Sequence, residues 1–333
     1  MPLKLRRFLL CCLLSLSLPM AGAAFAAMPE SELRQLARAV AADGNPVALK
    51  QLQDAATAGE ALAQYYMGET FLSGQGVGQD TDKAIEWLTR ADGQGLAMAG
   101  YRLGTIYELS NEGHRDYARA ARWYRKWAEQ GYAPSQNNLG VLYREGRGVE
   151  RNAASAVDWF RKAAEQGESF GQYNLAIAYL ESNGVQRDEA AAVDWLRRSA
   201  QKEHAASLYQ LGLMVGAGRG TKQDVEEAAK LIRSAAERGF APAQYFVAMT
   251  YARGQGVPRD EATALRWLRR AAGQGMADAQ YALGVMVGEG RGIRKNLEES
   301  VGWIQKAAAQ GHGEAMALLR RAERAQPSRP VTQ

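Results

Sequence analysis

The sequence predicts an all-α fold, a right-handed superhelical solenoid of antiparallel helix pairs with a 36-residue repeat. Three observations carry that expectation. Tryptophan-led segments recur in register: "WLTRADGQG" from Trp87, "WYRKWAEQG" from Trp123, "WFRKAAEQG" from Trp159, "WLRRSAQKE" from Trp195, "WLRRAAGQG" from Trp267 and "WIQKAAAQG" from Trp303. Their spacing is 36 residues or a multiple of it, with Leu231 in the one slot that lacks the aromatic, as in a stacked-repeat protein. Each unit also contains an Asp or Asn at a fixed offset, after a glycine-rich turn in nearly every case. No segment alternates apolar and polar residues for long enough to compete as a half-buried strand.

In chain order, residues 1–26 read as a secretory signal peptide. Lys4, Arg6 and Arg7 precede the apolar run Phe8 to Leu18, and a small-residue stretch ending Ala24-Phe25-Ala26 offers the cleavage site. The run is 11 residues, against the roughly 20 that a spanning helix needs. A periplasmic or secreted chain that does not span the membrane is therefore expected. Cys11 follows Leu10 in mid-run, unlike a lipoprotein cysteine, and Cys12 adjoins it. With both in the leader, the exported chain has no thiol for disulfides, iron–sulfur ligation or nucleophilic catalysis. Of 41 basic residues the leader holds three, leaving 38 against 36 acidic ones, about +2. That is no field for nucleic acid or anionic lipid.

Residues 27–59 fit a divergent N-terminal helical pair whose second helix starts near Pro46. Residues 60–311 hold seven full units, from 60–95 to 276–311, each with two helices. The first helix is clearest in "ADAQYALGVMVGEG", Ala277 to Gly290. Its Ala277, Ala279, Tyr281, Leu283 and Gly284 recur as Ala61, Ala63, Tyr65, Met67 and Gly68 in the first unit. A small residue kept inside a helix, at Gly104, Gly140, Gly212 and Gly284 and as Ala176 and Ala248, suggests close passage of two backbones, because glycine otherwise costs about 1 kcal/mol there. The helix ends at turns such as Gly74-Gln75-Gly76 and Gly146-Arg147-Gly148. Asp80, Asp116, Asn152, Asp188, Asp224, Asp260 and Asn296 then N-cap the second helices, and Asp224 with Glu227 and Asn296 with Glu299 resemble capping boxes. The second helix carries the tryptophan, expected as the repeated core wedge, and stops near Gly95 and its equivalents. Residues 312–325 read as a capping helix, and 326–333, "QPSRPVTQ", as a frayed tail.

The combined pattern, Ala-x-Ala-x-Tyr-x-Leu-Gly, Gly-x-Gly-Val, then Asp-x-x-x-Ala-x-x-Trp-x-x-x-Ala-x-x-Gly, resembles the Sel-one-like repeat (SLR) family, relatives of the tetratricopeptide repeats, in an exported bacterial form. The likeness spans about residues 60 to 311. Unit two carries "SNEGH" in place of the glycine turn, unit four ends at Glu203, and the paired cysteines of some secreted members are absent, so packing alone must stabilise the fold. The resemblance implies first helices that face a concave groove. It also implies a binding role: organising envelope complexes, restraining sensors, binding host factors or neutralising secreted toxins as an immunity protein.

Catalytic chemistry is thin. His114, His204 and His312 are too dispersed to converge on a metal or nucleophile, and no metal or cofactor is expected. The glycine turns follow helices, not strands, and are not phosphate loops. "SAQK", Ser199 to Lys202, matches a penicillin-binding nucleophile tetrad but lacks its companion motifs.

Function is expected where units differ. The third, seventh, tenth and fourteenth residues of each unit fall on one stripe of the first helix at roughly 100° per residue. The seventh position reads Tyr66, Arg102, Asn138, Asn174, Gln210, Phe246 and Ala282. Three successive carboxamides could bond an extended backbone without reading its sequence, and Tyr66, Arg102 and Phe246 are residue types enriched at binding hot spots. Leu62, Met98, Phe170, Leu213 and Met249 lie around them; the alternative is that several of these merely pack between helices. The charged second-helix face, with Arg122, Arg125, Arg197 and Arg198, is expected to be the solvated side. The expectation is a non-enzymatic periplasmic protein that holds a protein or peptide partner, an envelope protein or a secreted effector, in the groove. Peptidoglycan or glycan binding is the alternative, and a weak cell-wall hydrolase a more distant one.

Overall fold

The computed structural model describes residues 28–111 and 113–325. The proposed signal peptide and the C-terminal tail lie outside the described residues. The described chain is all-α, an α-solenoid of successive helix pairs in contact, with no strand among the described residues. Among the described residues no helix is long and apolar enough to cross a membrane. Two compact units divide at Leu96.

The N-terminal unit holds α1 (Glu30–Asp43), α2 (Pro46–Thr57), α3 (Ala61–Ser73) and α4 (Thr81–Gly93). Asn45 starts α2: its Oδ1 accepts from the N–H groups of Val47 and Ala48 at 3.1 and 3.0 Å, and Pro46 at the first helical position has no N–H to lose. Leu33, Leu52, Ala56, Ala63 and Met67 form the core, with Tyr66, Phe71 and Trp87 packed around it.

The second unit holds the remaining helices, each packed against the next. They are α5 (Ala97–Leu109), α6 (Tyr117–Glu129), α7 (Ala133–Glu145), α8 (Ala153–Glu165), α9 (Ser169–Glu181), α10 (Glu189–Gln201), α11 (Ala205–Ala217), α12 (Val225–Glu237), α13 (Ala241–Arg253), α14 (Glu261–Gly273), α15 (Ala277–Glu289), α16 (Leu297–Ala309) and α17 (Gly313–Ala325).

The repeated small residue makes room for one side chain. A Cβ on Gly140 would stand 2.7 Å from the Phe160 ring and 3.1 Å from the Ala156 carbonyl oxygen. Tyr124 fits Gly104 in the same way, and Ile232 and Ile304 fit Gly212 and Gly284. This revises the part given to the tryptophans. The residue after each one is buried: Leu88, Tyr124, Phe160, Leu196 and Leu268 to within 1% exposure and Ile304 to 5%. Trp87, Trp123, Trp159, Trp195, Trp267 and Trp303 are half-buried and flank the core instead of filling it. Trp195 packs on the clusters of Phe160 and of Leu196, and Trp267 on those of Ile232 and Leu268. A cation covers each outer face, from Arg90 over Trp87 at 4.7 Å to Lys306 over Trp303 at 4.2 Å.

All seven expected N-caps form, each side chain accepting from the backbone N–H three residues on at 2.9–3.1 Å. The capping boxes do not. The backbone N–H of Asp224 donates to the Val215 carbonyl, and that of Asn296 to Val287, so the group that Glu227 or Glu299 would have satisfied is already taken. The turn glycines have two separate reasons. Gly146 ends α7 in the left-handed region at φ 70°. At Gly148 a Cβ would run into the Tyr117 carbonyl of the preceding repeat, so a side chain there would separate neighbouring repeats.

A second recurring device escapes the sequence reading. Gln64, Gln136, Gln172, Gln244 and Gln280, all buried, donate Nε2 to carbonyls of the preceding second helix at 3.1–3.2 Å. Four of them accept in turn from Gln94, Gln166, Gln274 and Gln310 at 2.7–2.8 Å. In unit four Lys202 replaces that donor and turns to the Gly167 carbonyl, which leaves Gln172 Oε1 without a partner.

Candidate partner-binding face

Hydrogen bonds and ring contacts between α7 and α9 and between α11 and α13 put consecutive first helices of the second unit side by side, so their outer stripes form one face. Tyr66 belongs to the N-terminal unit, where it is half-buried with its ring 5.5 Å from that of Tyr65. On the face of the second unit, Met98, Arg102, Asn138, Asn174, Gln210 and Met249 are half-buried. Phe170 and Phe246 stand out, 55% and 42% exposed.

The three carboxamides do not behave alike. Asn174 Nδ2 donates to Asn137 Oδ1 at 2.8 Å, Asn137 Nδ2 donates to Asn138 Oδ1 at 3.1 Å, and Arg144 donates to Asn174 Oδ1 at 3.0 Å. Asn138 also hydrogen-bonds the Tyr124 hydroxyl, which donates to Glu108 Oε2 at 2.8 Å. Arg147 lies 3.7 Å from the other Glu108 oxygen, and both Arg144 and Arg147 pair with Glu145. The network joins α5, α6, α7 and α9. Burial, and then the Glu108 charge, push the Tyr124 phenol well above its ordinary range. Burial also acts to raise the Glu145 carboxyl, but hydrogen bonds from Arg144 and Arg147 outweigh it and hold it low. Asn138 and Asn174 are thus engaged within the protein. The Gln210 side chain makes no hydrogen bond among the described residues.

A tyrosine ladder borders the stripe. The sixth residue of a unit meets the first residue of the next: Tyr101 and Tyr132 at 5.9 Å between ring centroids, Tyr173 and His204 at 5.3 Å, Tyr209 and Phe240 at 5.5 Å, Tyr281 and His312 at 4.6 Å. Burial raises the phenol pKa at Tyr132, Tyr173, Tyr209, Tyr245 and Tyr281. The repeated tyrosine is visible in sequence; its half-exposed position is not. Where the ladder meets α17 it opens on a cavity of about 800 Å³ whose walls include Tyr245, Met249, Arg253, Asp278, Tyr281 and His312.

The geometry also bears on catalysis. Ser199 is fully buried, donates to the Ser169 carbonyl at 2.8 Å and accepts from Ser207 at 2.7 Å, while Lys202 is turned to Gly167. His204 Nδ1 lies 2.8 Å from the Ser207 hydroxyl within the first turn of α11, and His312 Nδ1 accepts from the Ala315 N–H at 3.2 Å and so caps α17. No group of three or more potential metal ligands occurs among the described residues.

Comparison with known proteins agrees with this architecture. The Sel1 repeat matches residues 61–91, 97–132, 133–168, 169–204, 205–240, 241–276 and 277–312. Among solved structures, a Sel1 repeat protein from Oxalobacter formigenes is 31% identical with a TM-score of 0.64, over 88% of this chain and 86% of that one. A protective antigen present in uropathogenic Escherichia coli strains, displaying an SLR fold, is 36% identical with a TM-score of 0.63 over 80% of this chain, which spans 57% of that protein's chain. An immunity protein from Pseudomonas aeruginosa shares 21% identity at a TM-score of 0.48, over 65% of this chain and 83% of that one. No curated protein matches the sequence. Seven matched repeats covering more than half the chain make it a member of the Sel1 repeat family.

Proposed function

We propose that this chain is an exported, non-enzymatic adaptor that captures an extended segment of a protein partner on the first-helix face of residues 97–325. One observation carries the reading: that face presents two largely exposed aromatic side chains, Phe170 on α9 and Phe246 on α13, the latter next in the chain to the cavity-lining Tyr245, while the Gln210 side chain on α11 makes no hydrogen bond among the described residues. Exposed aromatic anchors beside a cleft are what a partner segment buries to gain affinity. Export rests on the leader-like residues 1–26, and the absence of catalysis on the burial of Ser199 away from Lys202.

The test is a pull-down from envelope extract and culture supernatant with the full exported chain beside a Phe170→Ala, Phe246→Ala variant, with bound proteins identified by mass spectrometry. One stoichiometric partner lost in the variant is the expected result. A toxic secreted enzyme as that partner would make the chain an immunity protein. Retention of all partners by the variant would remove this face from the account, and co-sedimentation with cell-wall polymer alone would replace protein capture with glycan binding.

A further inference from the structure

The cavity at the α13–α15–α17 end differs in charge from the rest of the face. The third residue of the repeat reads Met98, Pro134, Phe170, Ala206 and Pro242, and turns acidic only at Asp278 and at Glu314, its counterpart on α17. Both line the cavity. Each sits in the first turn of its helix, where the helix dipole favours a carboxylate. The dipole does not explain the placement, because α7, α9, α11 and α13 carry no acidic residue in that turn.

The walls add aromatic faces and few competing cations. Tyr281 and His312 stack at 4.6 Å, and Tyr245 stands within the field of both carboxylates. Asp278 faces His312 Nε2 at 3.3 Å yet keeps 59% of its side chain exposed. Of the two arginines present, Arg291 is held by Glu261 at 2.9 Å and Glu289 at 3.6 Å. Arg253 lies in the wall as a donor, suited to a backbone carbonyl of an incoming chain.

Resting on the reading of this face as a site of peptide capture, we propose that the cavity receives an arginine or lysine side chain of the partner segment. The cation lies between Asp278 and Glu314 against the rings of Tyr245 and Tyr281, where charge and ring faces both favour it. The apolar residues of the segment then run toward Phe246 and Phe170. The partner sequence is thereby specified in register: hydrophobic positions followed or preceded by one basic residue.

The experiment is to pan a random dodecapeptide library against the full exported chain and against an Asp278→Asn, Glu314→Gln variant that keeps side-chain shape, with helical circular dichroism confirming that both are folded. Expected are peptides enriched for one Arg or Lys near apolar residues, with affinity for the variant weaker by about ten-fold or more, about 1.4 kcal/mol. Enriched peptides without a basic residue, or basic peptides that bind the variant equally well, would overturn the cavity assignment and leave peptide capture standing. No enriched peptide on either protein would overturn both.

Discussion

Asn138 and Asn174 occupy the same repeat position as Gln210 and Phe246, yet they meet different surroundings. From α5 to α9 the polar groups of the face are tied to one another through Asn137, Tyr124, Glu108 and Arg144. From α11 to α15 the Gln210 side chain is unbonded and Phe246 is exposed. Repeat position fixes the direction in which a side chain points; it does not fix whether its bonding capacity is free. The deciding change lies next door: Asn137 stands where the other six repeats have Tyr65, Tyr101, Tyr173, Tyr209, Tyr245 and Tyr281. A buried amide there links two carboxamides 36 residues apart, turning that stretch of face into structure.

The largest effect should come from the support common to both stretches. Phe160→Ala empties a site 1% exposed and is expected to destabilise by about 3–5 kcal/mol in denaturant unfolding of the full chain. Trp159→Ala, at the half-buried rim under Lys162, should cost less; the reverse order would contradict the packing described here. Asn137→Ala should cost about 1–3 kcal/mol by leaving its half-buried partners Asn138 and Asn174 without these bonds, whereas Gln210→Ala should stay within about 0.5 kcal/mol. Equal effects would erase the distinction between the two stretches.

Tyr124→Phe sharpens the comparison through pH and is expected to cost about 1–2 kcal/mol near neutrality. The phenol pKa is raised in the folded state, so its stabilisation is complete below about pH 10 and declines as pH rises beyond the range where the unfolded chain releases that proton. The variant should show a flatter alkaline decline in stability; an unchanged one would remove Tyr124 from the network. The smallest effect is expected at half-buried Glu189, whose carboxyl is held at about 2 by hydrogen bonds from Arg219 and Arg187. Its contribution is present above the ordinary value of 4.5 and is lost as pH falls from there toward 2. Glu189→Gln should abolish a weak, salt-sensitive dependence in that window.

The starts of the second helices and the stops of most first helices were legible because they have local chemical causes, an Asp or Asn whose side chain caps an N–H group and a glycine that takes positive φ. The capping boxes misled because the competing acceptor, a carbonyl of the preceding helix, lies nine residues back on another element. The tryptophans drew attention from the residue after them. Leu88, Tyr124, Phe160, Leu196, Ile232, Leu268 and Ile304 are apolar in every unit, including the one without tryptophan, and that regularity was the available signal. The stripe at the seventh position was legible as a direction on the helix. The amide network and the cavity were not, since both depend on how side chains of successive repeats meet.

The most direct test of the central claim compares affinities for the partner recovered by pull-down. One variant alters the tied stretch, Asn138→Ala with Asn174→Ala, and the other the open stretch, Gln210→Ala with Phe246→Ala, both measured below their melting temperatures. The account predicts about ten-fold or greater loss in the second with unchanged stability, and lowered stability with affinity kept in the first. Loss of affinity in the first variant alone would place the binding surface on the wrong stretch and contradict the account.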